Sequence, residues 1–239
     1  MRVDLVRSGP HALMAGTTGA GKSELLTSWL LQLALALPPQ RLSFVLVDYK
    51  GGAAFGALTD LPHTAGLLTD LDPALTTRAL TSLEAEVGRR ERLLAEYGAK
   101  DLSCLEAGAA PARLVIAVDE FAALASAHPE VLEGLMRVAA QGRSLGIHLI
   151  LATQRPAGAV SPAIRANTAV RVCLRVLDAA DSVDVVGCDE AARLGPRPGR
   201  LVVRGVEGAE HVALQAPWCG DGARPTDAFR LPRPRFLRR

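Results

Sequence analysis

A glycine-rich segment near the start of the chain has the residue types and spacing of a phosphate-binding loop. It fills every fixed position of the pattern G-x-x-x-x-G-K-[ST], in which backbone N–H groups converge on phosphate oxygens. The lysine of this pattern reaches the β- and γ-phosphates, and the hydroxyl that follows can hold Mg²⁺. The alternative is a chance glycine turn before a helix. We predict a nucleoside triphosphate site formed by Gly16, Thr17, Thr18, Gly19, Ala20, Gly21, Lys22, Ser23 and Glu24.

Two acidic residues, Asp119 and Glu120, directly follow an apolar run at residues 114–118. The run predicts a buried strand, and in an open α/β sheet the carboxyl ends of the strands face the ligand crevice. We therefore expect Asp119 to lie beside Ser23 and to orient the Mg²⁺ shell. Glu120 is then placed to position or deprotonate an attacking water. The alternative is that the pair only caps a helix.

Gln154 follows a second strongly apolar run, at residues 147–152. By the same rule its side chain is expected at the same crevice, where it can hydrogen-bond the γ-phosphate or the attacking water. The alternative is a polar turn that Pro156 closes.

Apolar runs alternate with helical patterns along most of the chain. Most of the runs are apolar throughout, which is typical of a parallel sheet covered on both faces. The sequence therefore predicts an α/β fold with a mostly parallel central sheet and helices on both faces. Strands are expected at 11–15, 43–47, 66–68, 114–118, 147–152 and 170–176, a closing hairpin at 199–206 and 211–215, and helices at 25–37, 72–97 and 121–143, the last interrupted near Pro129.

Length and charge indicate one globular domain followed by a basic C-terminal end. The chain has 239 residues, of which 49% are hydrophobic, enough for a single large core. Five of its 27 basic residues and no acidic residue fall in the last ten positions, so the remaining 22 basic residues are outnumbered by 25 acidic ones. We predict a domain at residues 1–216 and a basic, loosely structured tail at 217–239.

Cysteine and histidine usage argues against disulfides and metal sites. Cys104, Cys173, Cys188 and Cys219 lack C-x-x-C spacing, so a reducing cytoplasm is the expected compartment. The five histidines are dispersed, and His148 is expected in the core. The longest apolar stretch, residues 25–37, is too short and too polar to span a bilayer.

Five motifs in a fixed order resemble the FtsK/SpoIIIE family of RecA-like P-loop motor ATPases. The resemblance covers about residues 8–206. Tyr49 before Lys50-Gly51-Gly52 is typical of the branch that contains the ATPase modules of EccC-type motors of type VII secretion. The motifs lie at residues 16–24, 48–52, 118–121, 142–148 and 151–156, the last followed by 164–167.

This resemblance implies an ATPase that uses ATP and Mg²⁺ and forms a ring with other modules or with copies of itself. An arginine from the neighbouring module would complete each site; Arg171 is the first candidate and Arg165 the second. Asp48 and Lys50 are expected near the nucleotide. The implied substrate is a secreted protein, and the implied place is the cytoplasmic part of a membrane-bound machine, with membrane contact only through other segments or partners.

Two other functions remain open at this point. The same site serves double-stranded DNA translocases of the FtsK/SpoIIIE type, although the slightly acidic body disfavours tight binding to DNA phosphates. A regulatory module could hold ATP without turnover, but the intact Glu120 argues against that role.

Overall fold

The computed structural model describes residues 3–49, 54–69, 73–106, 108–206 and 209–217. They form an α/β domain around one eight-stranded sheet with the order β3-β2-β4-β5-β1-β6-β7-β8. The strands are β1 (Ala12–Ala15), β2 (Leu42–Asp48), β3 (Thr64–Leu68), β4 (Arg113–Asp119), β5 (Ile147–Thr153), β6 (Val170–Leu174), β7 (Arg200–Val206) and β8 (Ala209–Gln215).

The sheet is parallel from β3 through β6, and β7 and β8 add an antiparallel edge. The parallel strands are nearly all buried, since β1, β4 and β5 show almost no exposed position. Continuous burial explains why these strands are apolar throughout rather than alternating. The predicted fold class is therefore confirmed.

In the residues that the structure describes, six α-helices connect the strands. Pro129 divides the predicted helix at 121–143 into two, because its fixed φ starts a new helix while the chain before it turns. The helices are α1 (Lys22–Ala36), α2 (Pro73–Glu96), α3 (Phe121–Ala127), α4 (Pro129–Leu145), α5 (Pro162–Asn167) and α6 (Ala179–Val186).

Two apolar clusters cover the two faces of the sheet. On one face α1 buries Leu26 and Leu30 completely against strand residues such as Met14. Each such leucine contributes about 1.5–3 kcal/mol through burial. The other face packs against α2, α3, α4 and α6, with Phe121 and Leu135 in its core. Because helices cover both faces of the sheet, we expect a ligand to bind at an edge of the sheet.

Two histidines belong to the core, as expected for His148. His11 accepts from Leu149 N through Nδ1 (3.0 Å) and donates from Nε2 to Ala139 O (2.8 Å), which defines a neutral ring. The His148 Nδ1 bonds the Pro10 carbonyl at 3.0 Å. Burial lowers the pKa of His148 to about 4. Both rings are therefore neutral structural side chains near pH 7.

The structure describes three of the four cysteines. Cys104, Cys173 and Cys188 are free, and burial raises the pKa of the Cys173 thiol to about 12. Among the described residues, no helix combines the length and apolar character that crossing a bilayer requires. Cys219, the loop residues 50–52 and the predicted basic tail beyond residue 217 lie outside the described residues, and the domain boundary at 216 stays a prediction.

Candidate functional site

The phosphate loop connects β1 to α1 and is tied to the strands on both sides of β1. Gly16 N donates to the Thr153 carbonyl at the end of β5, at 3.2 Å. Thr17 donates from both its N and its Oγ1 to the Arg175 carbonyl just after β6, each at 3.0 Å. Both neighbouring strands therefore fix the loop at the carboxyl edge of the sheet.

Two glycines make the turn into α1 possible. Gly19 and Gly21 have φ angles of 79° and 92°, a left-handed conformation that L side chains rarely adopt. Gly21 is the N-cap of α1, so the first helical turn starts at Lys22. The first N–H groups of a helix have no acceptor within the helix, and the helix dipole adds positive potential there. The loop and the helix start together form an anion site.

The Lys22 ammonium lies between two carboxylates. Lys22, Asp119 and Glu120 are each only 4% exposed. The lysine Nζ contacts Asp119 Oδ1 and lies 3.2 Å from Glu120 Oε1. Buried charges are costly unless they are paired, and here the ammonium and the two carboxylates compensate one another beside the phosphate loop. A triphosphate bound at the loop would compete with the carboxylates for the ammonium.

Ser23 and Asp119 offer two hard oxygen ligands next to each other. Ser23 Oγ donates to Asp119 Oδ2 at 3.4 Å, close to the ~3 Å that separates adjacent oxygens around an octahedral ion with ~2.1 Å bonds. Within the described residues, no group of three His, Cys, Asp or Glu side chains could hold a metal. The oxygens of Ser23 and Asp119 nevertheless fit Mg²⁺, which is usually bound by one or two protein oxygens plus substrate phosphates.

Glu120 has an unusual backbone. Its φ of 56° is the one positive φ of a non-glycine residue in the part of the chain that the structure describes. Glu120 stands at the N-cap of α3 but makes no side-chain cap bond to that helix. Its carboxylate instead lies near Lys22, and its Oε2 accepts from the Gln154 backbone N at 3.4 Å. Capping does not account for this side chain, and its conformation aims it at the site.

Gln154 contacts the phosphate loop directly. Its Oε1 accepts a 2.7 Å hydrogen bond from Thr18 Oγ1. Because the Gln154 backbone also faces Glu120, one residue joins the loop to the acidic pair. The polar-turn alternative leaves this contact unexplained.

Asp48 ends β2 in register with Asp119 at the end of β4. It is buried, and its Oδ2 accepts from Ala54 N at 3.0 Å. Thr27 of α1 donates to the carbonyl of the same Ala54, also at 3.0 Å. The predicted position of Asp48 beside the site therefore agrees with the sheet register, whereas Lys50 lies outside the described residues. Glu24 is exposed in the first turn of α1.

The two candidate arginines are engaged within their own chain. Arg171 donates from Nε to Thr168 O (3.0 Å) and from Nη2 to Arg165 O (2.7 Å) at the end of α5. Arg165 pairs with Asp184 at 3.1 Å and is partly exposed. Burial, with Arg204 and Arg165 nearby, lowers the pKa of Arg171. In this chain alone, neither guanidinium joins the cluster around Lys22, and their action on a neighbour stays a prediction.

One contact of the phosphate loop was not predicted. The segment before β7 reaches the loop, because Gly199 N donates to the Ala20 carbonyl at 2.8 Å. The only signal in the sequence is the Pro198-Gly199 pair at the start of the predicted hairpin. A separate cavity of about 390 Å³ lies between β2, β3 and α2. In the sheet, β4 and β5 separate β2 from the strand that precedes the phosphate loop, so this cavity is not part of the site.

Comparisons with known proteins identify relatives of this chain. The FtsK/SpoIIIE family model matches residues 1–117 and 106–158. The type VII secretion system protein EssC of Staphylococcus aureus is 40% identical over 219 residues, which are 89% of this chain. The chain spans 15% of the length of that curated relative.

Two solved structures share the fold. The cytoplasmic domain of the Thermomonospora curvata type VII secretion ATPase EccC has a TM-score of 0.83 and 34% identity, covering 91% of this chain and 26% of its own. The pCW3 conjugation coupling protein TcpA with ATPγS has a TM-score of 0.77 and 28% identity, covering 91% and 62%. The family match takes in the phosphate loop, the acidic pair and Gln154 alike, and the chain therefore belongs to the FtsK/SpoIIIE family.

Proposed function

We propose that the chain is an ATP-binding and ATP-hydrolysing motor module of an EccC-like type VII protein secretion machine. The observation that carries the proposal is the convergence of Lys22, Asp119, Glu120 and Gln154 on one phosphate loop. The likeness to EssC and to the EccC ATPase supports the secretion assignment. We place the module on the cytoplasmic side of such a machine.

Each residue of the cluster has a distinct task in this proposal. Lys22 leaves the two carboxylates and neutralises the β- and γ-phosphates of ATP. Ser23 and Asp119 hold Mg²⁺, which when bound supplies positive charge to the phosphate oxygens. Glu120 accepts the proton of the water that attacks the γ-phosphorus, and Gln154 hydrogen-bonds that water or the γ-phosphate.

The movement of Lys22 couples these tasks. While the ammonium bridges Asp119 and Glu120, it neutralises the base. ATP draws the lysine to its phosphates, and the Glu120 carboxylate becomes available to the water. Thr18 and Gln154 already share a hydrogen bond, so a change at the γ-phosphate reaches β5 through one side chain.

We further propose that a neighbouring module, or a second copy of this chain, supplies an arginine to the site. An arginine acting in trans stabilises the charge of the transition state and raises the rate by about 10³–10⁵. Arg171 is the first candidate and Arg165 the second. Arg171 would have to release the carbonyls of Thr168 and Arg165 to reach a neighbouring site. Otherwise it would act indirectly, by holding Arg165 in place.

The alternative function is a double-stranded DNA translocase. The likeness to TcpA, a conjugation coupling protein, favours keeping it. The acidic excess over the chain before the last ten residues argues against it, because DNA binding depends on neutralising phosphates with basic groups.

The ATPase rate with and without duplex DNA, at two salt concentrations, tests the proposal. We expect a basal rate that DNA does not change. Strong stimulation by DNA that fades as salt rises would favour the translocase. ATP binding with no turnover under any condition would favour a regulatory module.

A further inference from the structure

The phosphate loop divides the carboxyl edge of the sheet into two sides. Asp119 ends β4 and Gln154 follows β5, on one side of β1. On the other side stand β6, β7 and β8. Because β7 is antiparallel to β6, its first residue Arg200 lies at the carboxyl edge, and so does Gln215 at the end of β8. The segment that enters β7 therefore reaches the same crevice from the side away from the acidic pair.

This entering segment, residues 195–199, is bonded to the phosphate loop and to β8, and we call it the entry loop. Gly199 N donates to the Ala20 carbonyl, and Gly199 O accepts from Ala216 N, both at 2.8 Å. The Gln215 side chain donates to the Pro198 carbonyl at 3.0 Å. Three bonds thus hold the end of the entry loop in place.

The entry loop packs closely against the phosphate loop and against β8. A Cβ added at Gly21 would lie 3.0 Å from Gly199 N, tighter than ordinary contacts. A Cβ at Gly199, whose φ is 81°, would lie 2.7 Å from Gln215 Nε2. The entry loop is therefore a fixed extension of the phosphate loop.

The polarity of the site sets the direction in which a nucleotide must lie. Its γ-phosphate has to face Glu120 and Gln154 on the β4–β5 side. The triphosphate then runs along the loop, and the nucleoside leaves on the side of β6 to β8, where the entry loop stands. This step rests on the proposed function, since it needs a triphosphate at the phosphate loop.

The exposed surface of the entry loop suits a flat, weakly polar ligand. Pro196, Arg197 and Pro198 are exposed. Proline rings offer rigid apolar surfaces, and a guanidinium stacks on the face of an aromatic ring. Two prolines also restrict the loop before a ligand binds, so binding costs little conformational entropy. We propose that residues 196–198 form the wall against which the purine base of the nucleotide stacks.

The test compares ATP with inorganic tripolyphosphate, which has the phosphates but no base. Equilibrium binding of ATP, GTP and tripolyphosphate to the full chain is measured with Mg²⁺. Arg197→Ala should weaken ATP binding about 3- to 5-fold, and Arg197→Ala with Pro198→Gly about 10-fold. Because every base has a π face, GTP should lose affinity equally. Tripolyphosphate binding should stay within about twofold, as expected for a wall that touches only the nucleoside.

Two further variants make the result specific. Gln215→Ala removes one anchor of the entry loop and should weaken ATP but not tripolyphosphate. Arg92→Ala, at an exposed position on α2 beyond the other edge of the site, is the matched control and should change neither. Unchanged ATP affinity in the loop variants, or equal losses for ATP and tripolyphosphate, would overturn the base wall while leaving the proposed function standing. A wild-type chain that binds neither ligand would overturn the proposed function, and the wall with it.

Discussion

Glu120 has a strained backbone, because its φ of 56° lies in the left-handed region. A left-handed non-glycine residue costs about 1–3 kcal/mol and persists only where its surroundings enforce it. Here Asp119 Oδ1 accepts from the Glu120 amide at 3.0 Å, while Lys22 lies against its carboxylate. The pattern of an apolar run before two acids predicts which residues act, but not this backbone turn.

Glu120→Gln tests the role of the carboxylate as a base. The amide keeps the size of the side chain but cannot take a proton, so turnover should fall by about 10²–10⁴ while ATP binding is retained. Steady-state phosphate release and equilibrium ATP binding measure the two effects. Glu133→Gln, exposed on α4, is the control and should behave as wild type. Normal turnover in Glu120→Gln would refute the assignment.

His148 gives a stability that depends on pH. Its pKa is about 4 in the folded chain, against an ordinary value of 6.5. The unfolded chain therefore binds the proton at a higher pH than the folded chain. This contribution is complete above pH 6.5, declines as the pH falls and is gone by about pH 4. Between pH 7 and pH 5 it should lower the free energy of unfolding by about 2 kcal/mol.

Urea unfolding at these two pH values checks this expectation. The drop should be smaller by about 2 kcal/mol in His148→Asn than in the wild type. Gln141→Asn, exposed on α4 and without a titratable group, should follow the wild type. Identical drops in His148→Asn and the wild type would contradict the account.

At the scale of elements, the apolar patterns predicted the strands and the long helices, and they missed the short helices. The strands β2, β4 and β5 and the helices α1 and α2 lie within a few residues of their predicted bounds. The short helices α5 and α6 were not predicted, because six and eight residues carry too little periodicity. Their start signals are local: Ser161 accepts from Ile164 N at 3.2 Å, and Asp178 from Ala180 N at 2.8 Å.

The antiparallel edge depends on a glycine inside β7. Gly205 has a φ of 85°, and a Cβ there would collide with the Ala169 carbonyl oxygen. Gly205→Ala should therefore lower the free energy of unfolding by about 2 kcal/mol or more. Gly88→Ala on α2 is the matched control, since its Cβ would meet only Arg92 Nη1 at 3.5 Å. It should raise stability by up to about 1 kcal/mol. Equal effects of the two substitutions in urea unfolding would contradict this view of β7.

At the scale of the whole molecule, the order of strands assembles the site. Asp119 ends β4, and β5 lies between β4 and β1 in the sheet. This strand order cannot be derived from the sequence pattern. Apolar runs tell which segments are strands, whereas strand order and register come from packing across the sheet. For the same reason the contact of Gly199 with Ala20 could not be predicted, since nearly 180 residues separate them.

The proposed arginine in trans belongs to this scale, because it requires two chains. If the site needs Glu120 of one copy and Arg171 of the next, each single variant, Glu120→Gln or Arg171→Ala, is inactive. An equal mixture should regain about a quarter of wild-type turnover through mixed interfaces. Arg165→Ala is tested in the same way.

Mixing Glu120→Gln with Lys22→Ala is the control for this experiment. Both residues act in the same copy, so no activity should return. Thermal unfolding of Arg171→Ala shows whether loss of its bonds to α5 has disturbed the fold. Full activity of Arg171→Ala alone would rule out Arg171 as the arginine in trans. For each arginine tested, no recovery of activity on mixing would rule out that arginine.

The shared ammonium of Lys22 has a consequence for how such modules are inactivated by mutation. Replacing this lysine with alanine leaves two buried carboxylates, Asp119 and Glu120, facing one another without the cation that neutralised them. Breaking a buried ion pair costs about 3–5 kcal/mol, so the variant should melt earlier as well as lose its ligand. Loss of ATPase activity in Lys22→Ala could therefore come from destabilisation at the edge of the sheet as well as from the missing phosphate contact. Glu120→Gln, which keeps the lysine paired with Asp119, is the cleaner way to stop the proposed turnover while ATP stays bound.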